Sequence, residues 1–166
     1  MKTPNLEIER KFLIEMPDES FLSGVEGCRR VEITQVYTTD HIRLRRWAEA
    51  GRVTYIKTIK KHITDMTRIE IENEIEKAEY ETLLKTADPR LSPVSKTRYI
   101  IPFGGNLLEI DLFPFWKGQA YLEIELEGED DKFTLPDYIK VIKEVTEDKR
   151  YRNYALAQKI PEEEEF

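Results

Sequence analysis

Pairs of acidic residues recur along this chain with one residue between them, and that spacing suits metal chemistry. The pairs are Glu7 and Glu9, Glu70 and Glu72, Glu109 and Asp111, and Glu123 and Glu125. Because side chains alternate between the two faces of a β-strand, residues two apart share a face. Carboxylate oxygens are the protein ligands that Mg²⁺ and Mn²⁺ prefer. The acidic pairs therefore indicate candidate ligands for a divalent ion.

Basic residues recur with the same spacing in other segments. Arg43 and Arg45 form one such pair, and Lys96 and Arg98 form another. An arginine guanidinium presents forked donors to phosphate oxygens, whereas a lysine supplies a compact positive charge. If these cations and the carboxylates line one channel, they predict that the channel binds a polyanion together with a metal ion. The alternative is that each cation only neutralises a neighbouring carboxylate.

The segments that carry these charges have the pattern of strands. Apolar residues alternate with the charges, as Leu122 and Ile124 do with Glu123 and Glu125, and turn-rich breaks such as residues 104–106 separate the segments. In a single strand, this alternation usually means a solvated polar face and a packed apolar face. Its repetition in about eight strands favours a closed barrel, with charges lining the bore and apolar faces packed under helices.

Only a few stretches have helical spacing. We predict helices over Lys77–Ala87 and Tyr151–Lys159, and short helical turns near Ser20–Leu22 and Asp137–Ile142. The predicted fold class is therefore mainly β (α+β): a closed eight-stranded antiparallel β-barrel that forms a tunnel, with external helices. Residues 1–160 are predicted to form one domain, and residues 161–166 a solvated, frayed acidic tail.

The overall composition narrows the class of partner. The chain has 33 acidic and 26 basic residues, and its net charge is −7. A net acidic protein is a poor candidate for nonspecific nucleic-acid binding, which depends on neutralising phosphates. The single cysteine, Cys28, excludes an internal disulfide, and no apolar run reaches the roughly 20 residues of a membrane span. Because the N-terminus lacks an apolar signal region, we expect a cytoplasmic protein. The net charge and the lack of a long apolar run predict that it has no nucleic-acid and no membrane partner.

Nine motifs between residues 7 and 157 follow one another in a characteristic order. They are Glu7-x-Glu9-x-Lys11, Gln35-x-Tyr37, Arg43-x-Arg45, Lys57, Arg68-x-Glu70-x-Glu72, Lys96-x-Arg98, Glu109-x-Asp111, Glu123-x-Glu125, and the stretch VTEDKRYRNYALA at 145–157. This set resembles the signature of the CYTH superfamily, the triphosphate tunnel metalloenzymes. The resemblance implies an eight-stranded barrel that acts on triphosphate substrates with magnesium or manganese, and it is compatible with a homodimer.

The resemblance also implies roles for individual residues. The substrate-binding cations are Arg43, Arg45, Lys57, Arg98 and Arg150. The metal ligands are Glu7, Glu9, Glu123 and Glu125, with second choices, for a metal or for positioning the arginines, at Glu70, Glu72, Glu109 and Asp111. The catalytic candidates are Lys11, Tyr37 and Lys96.

Lys11 and Tyr37 are expected to meet on adjacent strands. A hydrogen-bonded pair of this kind would position a terminal phosphate or steer proton transfer. The alternative is that Glu9 neutralises Lys11 while Tyr37 packs in the core.

Three functions remain open on the sequence alone. The favoured one is hydrolysis of the terminal phosphoanhydride bond of inorganic tripolyphosphate, by in-line attack of water activated by a carboxylate or the metal. The second is hydrolysis of a nucleoside or thiamine triphosphate, or an adenylyl cyclase reaction, with Trp47, Phe115 or Trp116 stacking on a base. The third is a module that binds polyphosphate or nucleotides without turnover. The acidic pairs disfavour this module, because a pure anion binder has little use for them.

Overall fold

The computed structural model describes residues 6–164 of the chain. Its strands are β1 (Leu6–Glu15), β2 (Arg29–Tyr37), β3 (Arg43–Glu49), β4 (Arg52–His62), β5 (Thr67–Ile75), β6 (Val94–Phe103), β7 (Asn106–Leu112), β8 (Gln119–Glu125) and β9 (Val141–Glu144). Its helices are α1 (Glu19–Ser23), α2 (Lys77–Leu84) and α3 (Asn153–Gln158), and a 3₁₀ turn spans Lys149–Tyr151.

Eight of these strands close into an antiparallel barrel, which confirms the predicted fold. Around the ring they follow the order β1, β8, β7, β6, β2, β3, β4 and β5. β5 closes the ring by pairing its residues 67–69 with residues 6–8 of β1. This closing contact is short, and further along the same edge of β1 residues 12–14 pair with β9 instead.

Strand β9 corrects one prediction. The sequence predicts a short helical turn over Asp137–Ile142, but Val141 and Ile142 lie in β9. β1 extends beyond the end of β5, so its backbone groups at residues 12–14 are available to pair with this segment. Two β-branched residues in succession also suit a strand better than a helix.

The predicted helices are present with shorter bounds. α1 covers the predicted turn at Ser20–Leu22, and the Asp18 carboxylate caps it by accepting a 2.9 Å hydrogen bond from the Ser20 amide. α2 ends at Leu84, because the chain then extends to form a β-bridge at Ala87. In residues 6–164, no helix is both long and apolar enough to cross a membrane.

The larger apolar core lies outside the barrel, which is the expected consequence of a bore lined by charges. The outward-facing side chains of Ile110, Leu122 and Ile124 are fully buried. Leu22 of α1 and Ile139, in the segment before β9, pack over this outer face and belong to the same cluster. Burial of this surface supplies the hydrophobic stabilisation that a charged bore cannot.

A second apolar cluster closes one end of the bore. Leu13 and Tyr121 continue the inward-facing rows of β1 and β8, and both are fully buried. Tyr151 of the 3₁₀ turn and Leu156 of α3 pack in the same cluster. The charged part of the bore therefore ends against an apolar floor that the C-terminal elements help to build.

The acidic tail is solvated in part, since Glu162 and Glu163 are exposed, but residues 161–164 are held by hydrogen bonds, so the prediction that this segment is frayed is wrong. The Trp116 indole N–H donates to the Pro161 carbonyl at 3.0 Å, and the Gly118 amide donates to the Glu163 carboxylate at 2.6 Å. The Glu164 amide donates to the Gln119 side chain at 2.8 Å. These contacts offset the repulsion between successive glutamates. Residues 165–166 lie outside the described part of the chain.

Candidate active site

Inward-facing charges from seven of the eight barrel strands surround a cavity of about 140 Å³. The acidic lining residues are Glu7, Glu9, Glu70, Glu72, Glu109, Glu123 and Glu125. The basic lining residues are Arg43, Arg45, Lys60 and Arg98. Trp47 and Asn153 complete the wall. The structure thus brings most of the predicted metal ligands and three of the predicted substrate-binding arginines to one cavity.

Three carboxylates meet in this cavity. Oxygens of Glu9, Glu109 and Glu123 lie within 4.8 Å of one another, and we call these residues the acidic trio. Strand register explains the meeting. Glu109 is directly opposite Glu123 on β7 and β8, and Glu9 is diagonal to Glu123, because Lys11, two residues along β1, is the residue opposite Glu123. Burial and the charge of Glu123 raise the pKa of Glu9 to about 8. A divalent cation would relieve this crowding of like charges.

Lys11 contributes to the charge balance of Glu123 and does not pair with Tyr37. Lys11 Nζ lies 3.1 Å from a Glu123 oxygen and donates a 3.1 Å hydrogen bond to the Tyr151 carbonyl. Despite burial, which acts in the opposite direction, Lys11 and other cations hold the pKa of Glu123 well below its usual value. The Tyr37 hydroxyl instead accepts from the Gln35 amide at 3.3 Å. The predicted adjacency is wrong, because β1 and β2 lie on opposite sides of the ring.

A buried ion-pair network adjoins the acidic trio. Asp111 lies 2.8 Å from Lys96 Nζ and accepts two hydrogen bonds from Arg98, at 2.8 and 3.0 Å. Another Arg98 nitrogen donates to Glu109 at 2.8 Å. The Lys96 side chain is 0% exposed, and neither it nor Asp111 is among the residues that line the cavity. These two residues therefore hold Arg98 and Glu109 in place from behind the cavity wall.

Cations are crowded on the β3 side of the cavity. Burial, Arg43 and Arg98 lower the pKa of Arg45 to about 9, so its guanidinium remains charged at neutral pH. Arg43 is 4% exposed, and its buried Nε has no hydrogen-bond partner within residues 6–164. A buried donor without a partner is costly, and several like charges at close range attract an anion. Both observations suit an anionic ligand at this wall.

Lys57 lies outside the barrel, which corrects its predicted place in the substrate site. Its Nζ lies 3.4 Å from Glu79 on α2, and Leu44, its neighbour on β3, faces outward in the same way. The lysine that reaches the cavity is Lys60, which lies 3.0 Å from Glu70 on β5. Residues three apart on a strand face opposite sides, so only one of the two lysines can line the bore.

Arg150 also lies away from the cavity. Its guanidinium pairs with Asp148 at 2.6 Å in the 3₁₀ turn, and its side chain is 67% exposed. The residue that this C-terminal stretch does send into the cavity wall is Asn153, at the start of α3. The 145–157 motif marks the stretch in the sequence, but nothing in it shows which side chain points inward.

Of the three aromatic residues predicted as candidates for stacking on a base, one lines the cavity and two do not. Trp47 lines the cavity, and its indole N–H donates to Glu49 at 3.1 Å. Trp116 is 3% exposed and packs with Phe115 in the cluster that forms the apolar floor. Trp116 and Phe115 are therefore packing residues.

Comparison with known proteins agrees with this geometry. The CYTH domain family model matches residues 5–151. The chain belongs to the CYTH domain family. This CYTH domain is 35% identical to an inorganic triphosphatase of Nitrosomonas europaea over 160 residues, which cover 93% of the chain and 99% of the relative.

Solved structures show the same relationship. A crystal structure of an inorganic triphosphatase is 33% identical to this CYTH domain, with a TM-score of 0.56 over 98% of the chain and 99% of that protein. A conserved hypothetical protein of Pyrococcus furiosus, at 18% identity and a TM-score of 0.52, covers 75% of the chain and 80% of its own. The second likeness shows a shared fold only.

Proposed function

We propose that this CYTH domain hydrolyses inorganic tripolyphosphate in a reaction that depends on Mg²⁺ or Mn²⁺. The observation that carries the proposal is the placement of the acidic trio and four cations around one small cavity. A triphosphate has anionic oxygens along its whole length, so it suits cations that come from several strands. The inorganic triphosphatases among the relatives point to the same substrate.

The cavity cations bind the phosphate chain in this proposal. Arg43 and Arg45 extend from β3, Lys60 from β4 and Arg98 from β6. A phosphate oxygen beside Arg43 would accept from its unpartnered Nε. Asp111 anchors Arg98 through two hydrogen bonds, so this guanidinium is already oriented before a ligand enters.

The acidic trio would hold the metal ion. Its carboxylates are close enough to share one ion, and oxygen ligands suit Mg²⁺ and Mn²⁺. When bound, the ion would neutralise charge on the phosphate oxygens and favour departure of pyrophosphate as the terminal phosphoanhydride bond breaks. Serine, cysteine and histidine are not among the residues found to line the cavity, so the proposed nucleophile is water. A cavity carboxylate accepts the proton that this water loses.

Phosphate release from tripolyphosphate and from ATP, each with Mg²⁺, with Mn²⁺ and with EDTA, tests the proposal. We expect release from tripolyphosphate with either ion, less release from ATP, and none in EDTA. Equal or greater release from ATP would overturn the choice of an inorganic substrate, and formation of cyclic AMP would identify a cyclase. Tight binding of tripolyphosphate without release would identify a binding module.

Lys60 and Lys57 form a matched pair for a test of substrate contacts. We expect Lys60→Met to raise KM for tripolyphosphate about tenfold or more, since a hydrogen bond to a charged group contributes about 1.5–3 kcal/mol. Lys57→Met should leave KM unchanged, because its ammonium contacts Glu79 outside the barrel. Steady-state kinetics of both variants provide the measurement. An equal effect of the two substitutions would contradict the assignment of Lys60.

A further inference from the structure

Two side-chain amides in the bore have orientations that their neighbours fix. Arg45 Nε donates to Gln35 Oε1 at 3.0 Å, and an arginine has no acceptor, so this atom must be the oxygen of Gln35. The nitrogen of Gln35 therefore faces the other way, toward the Tyr37 hydroxyl at 3.3 Å and Asn153 Oδ1 at 3.5 Å. Because Gln35 is fully buried and its oxygen accepts from Arg45, its nitrogen is the atom that faces Asn153, and the Asn153 atom beside it must be the acceptor oxygen.

Lys96 fixes the same orientation of Asn153 independently. Its Nζ donates to Asn153 Oδ1 at 3.1 Å, and an ammonium also has no acceptor. The oxygen of Asn153 therefore faces Lys96 and Gln35, and its Nδ2 must point away from both. Within residues 6–164, this Nδ2 has no hydrogen-bond partner, although Asn153 lines the cavity.

The packing of α3 holds Asn153 at this position. The Tyr154 ring packs edge-on against Tyr37 with 5.2 Å between centroids. Leu156 and Ala157 are buried in the floor cluster, and the Ala157 carbonyl accepts from the Ser92 amide at 2.8 Å. The packing of α3 therefore fixes the neutral donor Asn153 Nδ2 in one orientation at the wall of a highly charged cavity.

We propose that Asn153 is a substrate-binding residue, whose Nδ2 donates to a phosphate oxygen of the bound triphosphate while its Oδ1 positions Lys96. This inference rests on the proposed function and adds to it a contact from the C-terminal helix. A neutral donor binds a phosphate oxygen without adding to the crowding of cations around Arg45 and Arg98.

An isosteric pair of substitutions tests the proposal. Asn153→Asp keeps the oxygen that faces Lys96 but replaces the donor by an anion beside the phosphates. We expect KM for tripolyphosphate to rise about tenfold or more while the melting temperature stays near that of the wild type. Gln158→Glu makes the same chemical change at an exposed position of α3 and should leave KM unchanged. A folded Asn153→Asp protein with wild-type KM would overturn the proposal.

A measurement on the unmodified chain covers the case in which Asn153→Asp does not fold. The chain has four asparagines, Asn5, Asn73, Asn106 and Asn153, so ¹⁵N-asparagine labelling gives four pairs of side-chain amide signals in an NMR spectrum. We expect tripolyphosphate in EDTA to shift the Asn153 pair. If tripolyphosphate raises the melting temperature but leaves this pair unmoved, the Asn153 contact is wrong and the proposed substrate stands. If it changes neither in EDTA nor with Mg²⁺, the proposed function fails as well.

Discussion

Replacing Glu9 by glutamine is expected to abolish phosphate release from tripolyphosphate while the barrel stays folded. Glutamine keeps the size of the side chain but removes one of the three charges that would hold the ion. Changes to groups outside the first ligand shell commonly cost about 10–100-fold, and loss of a ligand should exceed this range. Phosphate release over a range of Mg²⁺ and Mn²⁺ concentrations is the measurement.

The stability of the Glu9→Gln variant separates loss of the ion from loss of the fold. Without metal, we expect its melting temperature to equal or exceed that of the wild type, because the crowding with Glu123 is relieved. The ion pair that is lost joins Glu9 and Arg68 at 3.3 Å, and glutamine keeps a side-chain oxygen that can still accept a hydrogen bond from this guanidinium. Glu15→Gln, at the exposed end of the same strand, is the matched control and should keep full activity. Near-normal turnover in Glu9→Gln would exclude Glu9 from the metal site.

Replacing Asp111 by alanine is expected to lower the free energy of unfolding by about 3–5 kcal/mol, the usual cost of removing one partner from a buried ion pair. Asp111 is 1% exposed, and its loss leaves Lys96 without its counter-charge and leaves Arg98 with Glu109 as its remaining carboxylate partner. Urea denaturation followed by circular dichroism measures the change.

An exposed ion pair provides the control for this prediction. Asp65 lies 3.2 Å from Arg152, and the two side chains are 43% and 34% exposed, respectively. Asp65→Ala should therefore change stability by about 1 kcal/mol or less. Equal losses of unfolding free energy in the two alanine variants would contradict the prediction that the buried Asp111 network stabilises the fold more than an exposed ion pair does.

Strand alternation was sufficient to predict the barrel and most of its bore. Glu123 and Glu125 face inward because Leu122 and Ile124 must face the outer core, and this argument needs no tertiary information. The same argument fails in β4, where Tyr55, Ile56 and Ile59 do not alternate with polar residues. The face of Lys57 is set only by pairing with β3 and β5, so the sequence alone did not distinguish it from Lys60.

Other features depend on contacts between distant segments. Glu109 joins Glu9 and Glu123 because of the register between β7 and β8, and no local pattern reports that register. The orientation of Asn153 depends on Lys96, 57 residues earlier in the chain. Both facts follow from tertiary pairing, which residue spacing within one segment cannot reveal.

The most direct test of the central claim is an anomalous diffraction map from crystals of this CYTH domain grown with Mn²⁺ and tripolyphosphate. We predict a manganese peak within about 2.0–2.6 Å of carboxylate oxygens of Glu9, Glu109 and Glu123, a range typical for hard cations with oxygen ligands. The phosphate chain should extend from this ion to Arg45 and Arg98. A manganese peak outside the cavity, or a phosphate chain bound elsewhere, would contradict the account.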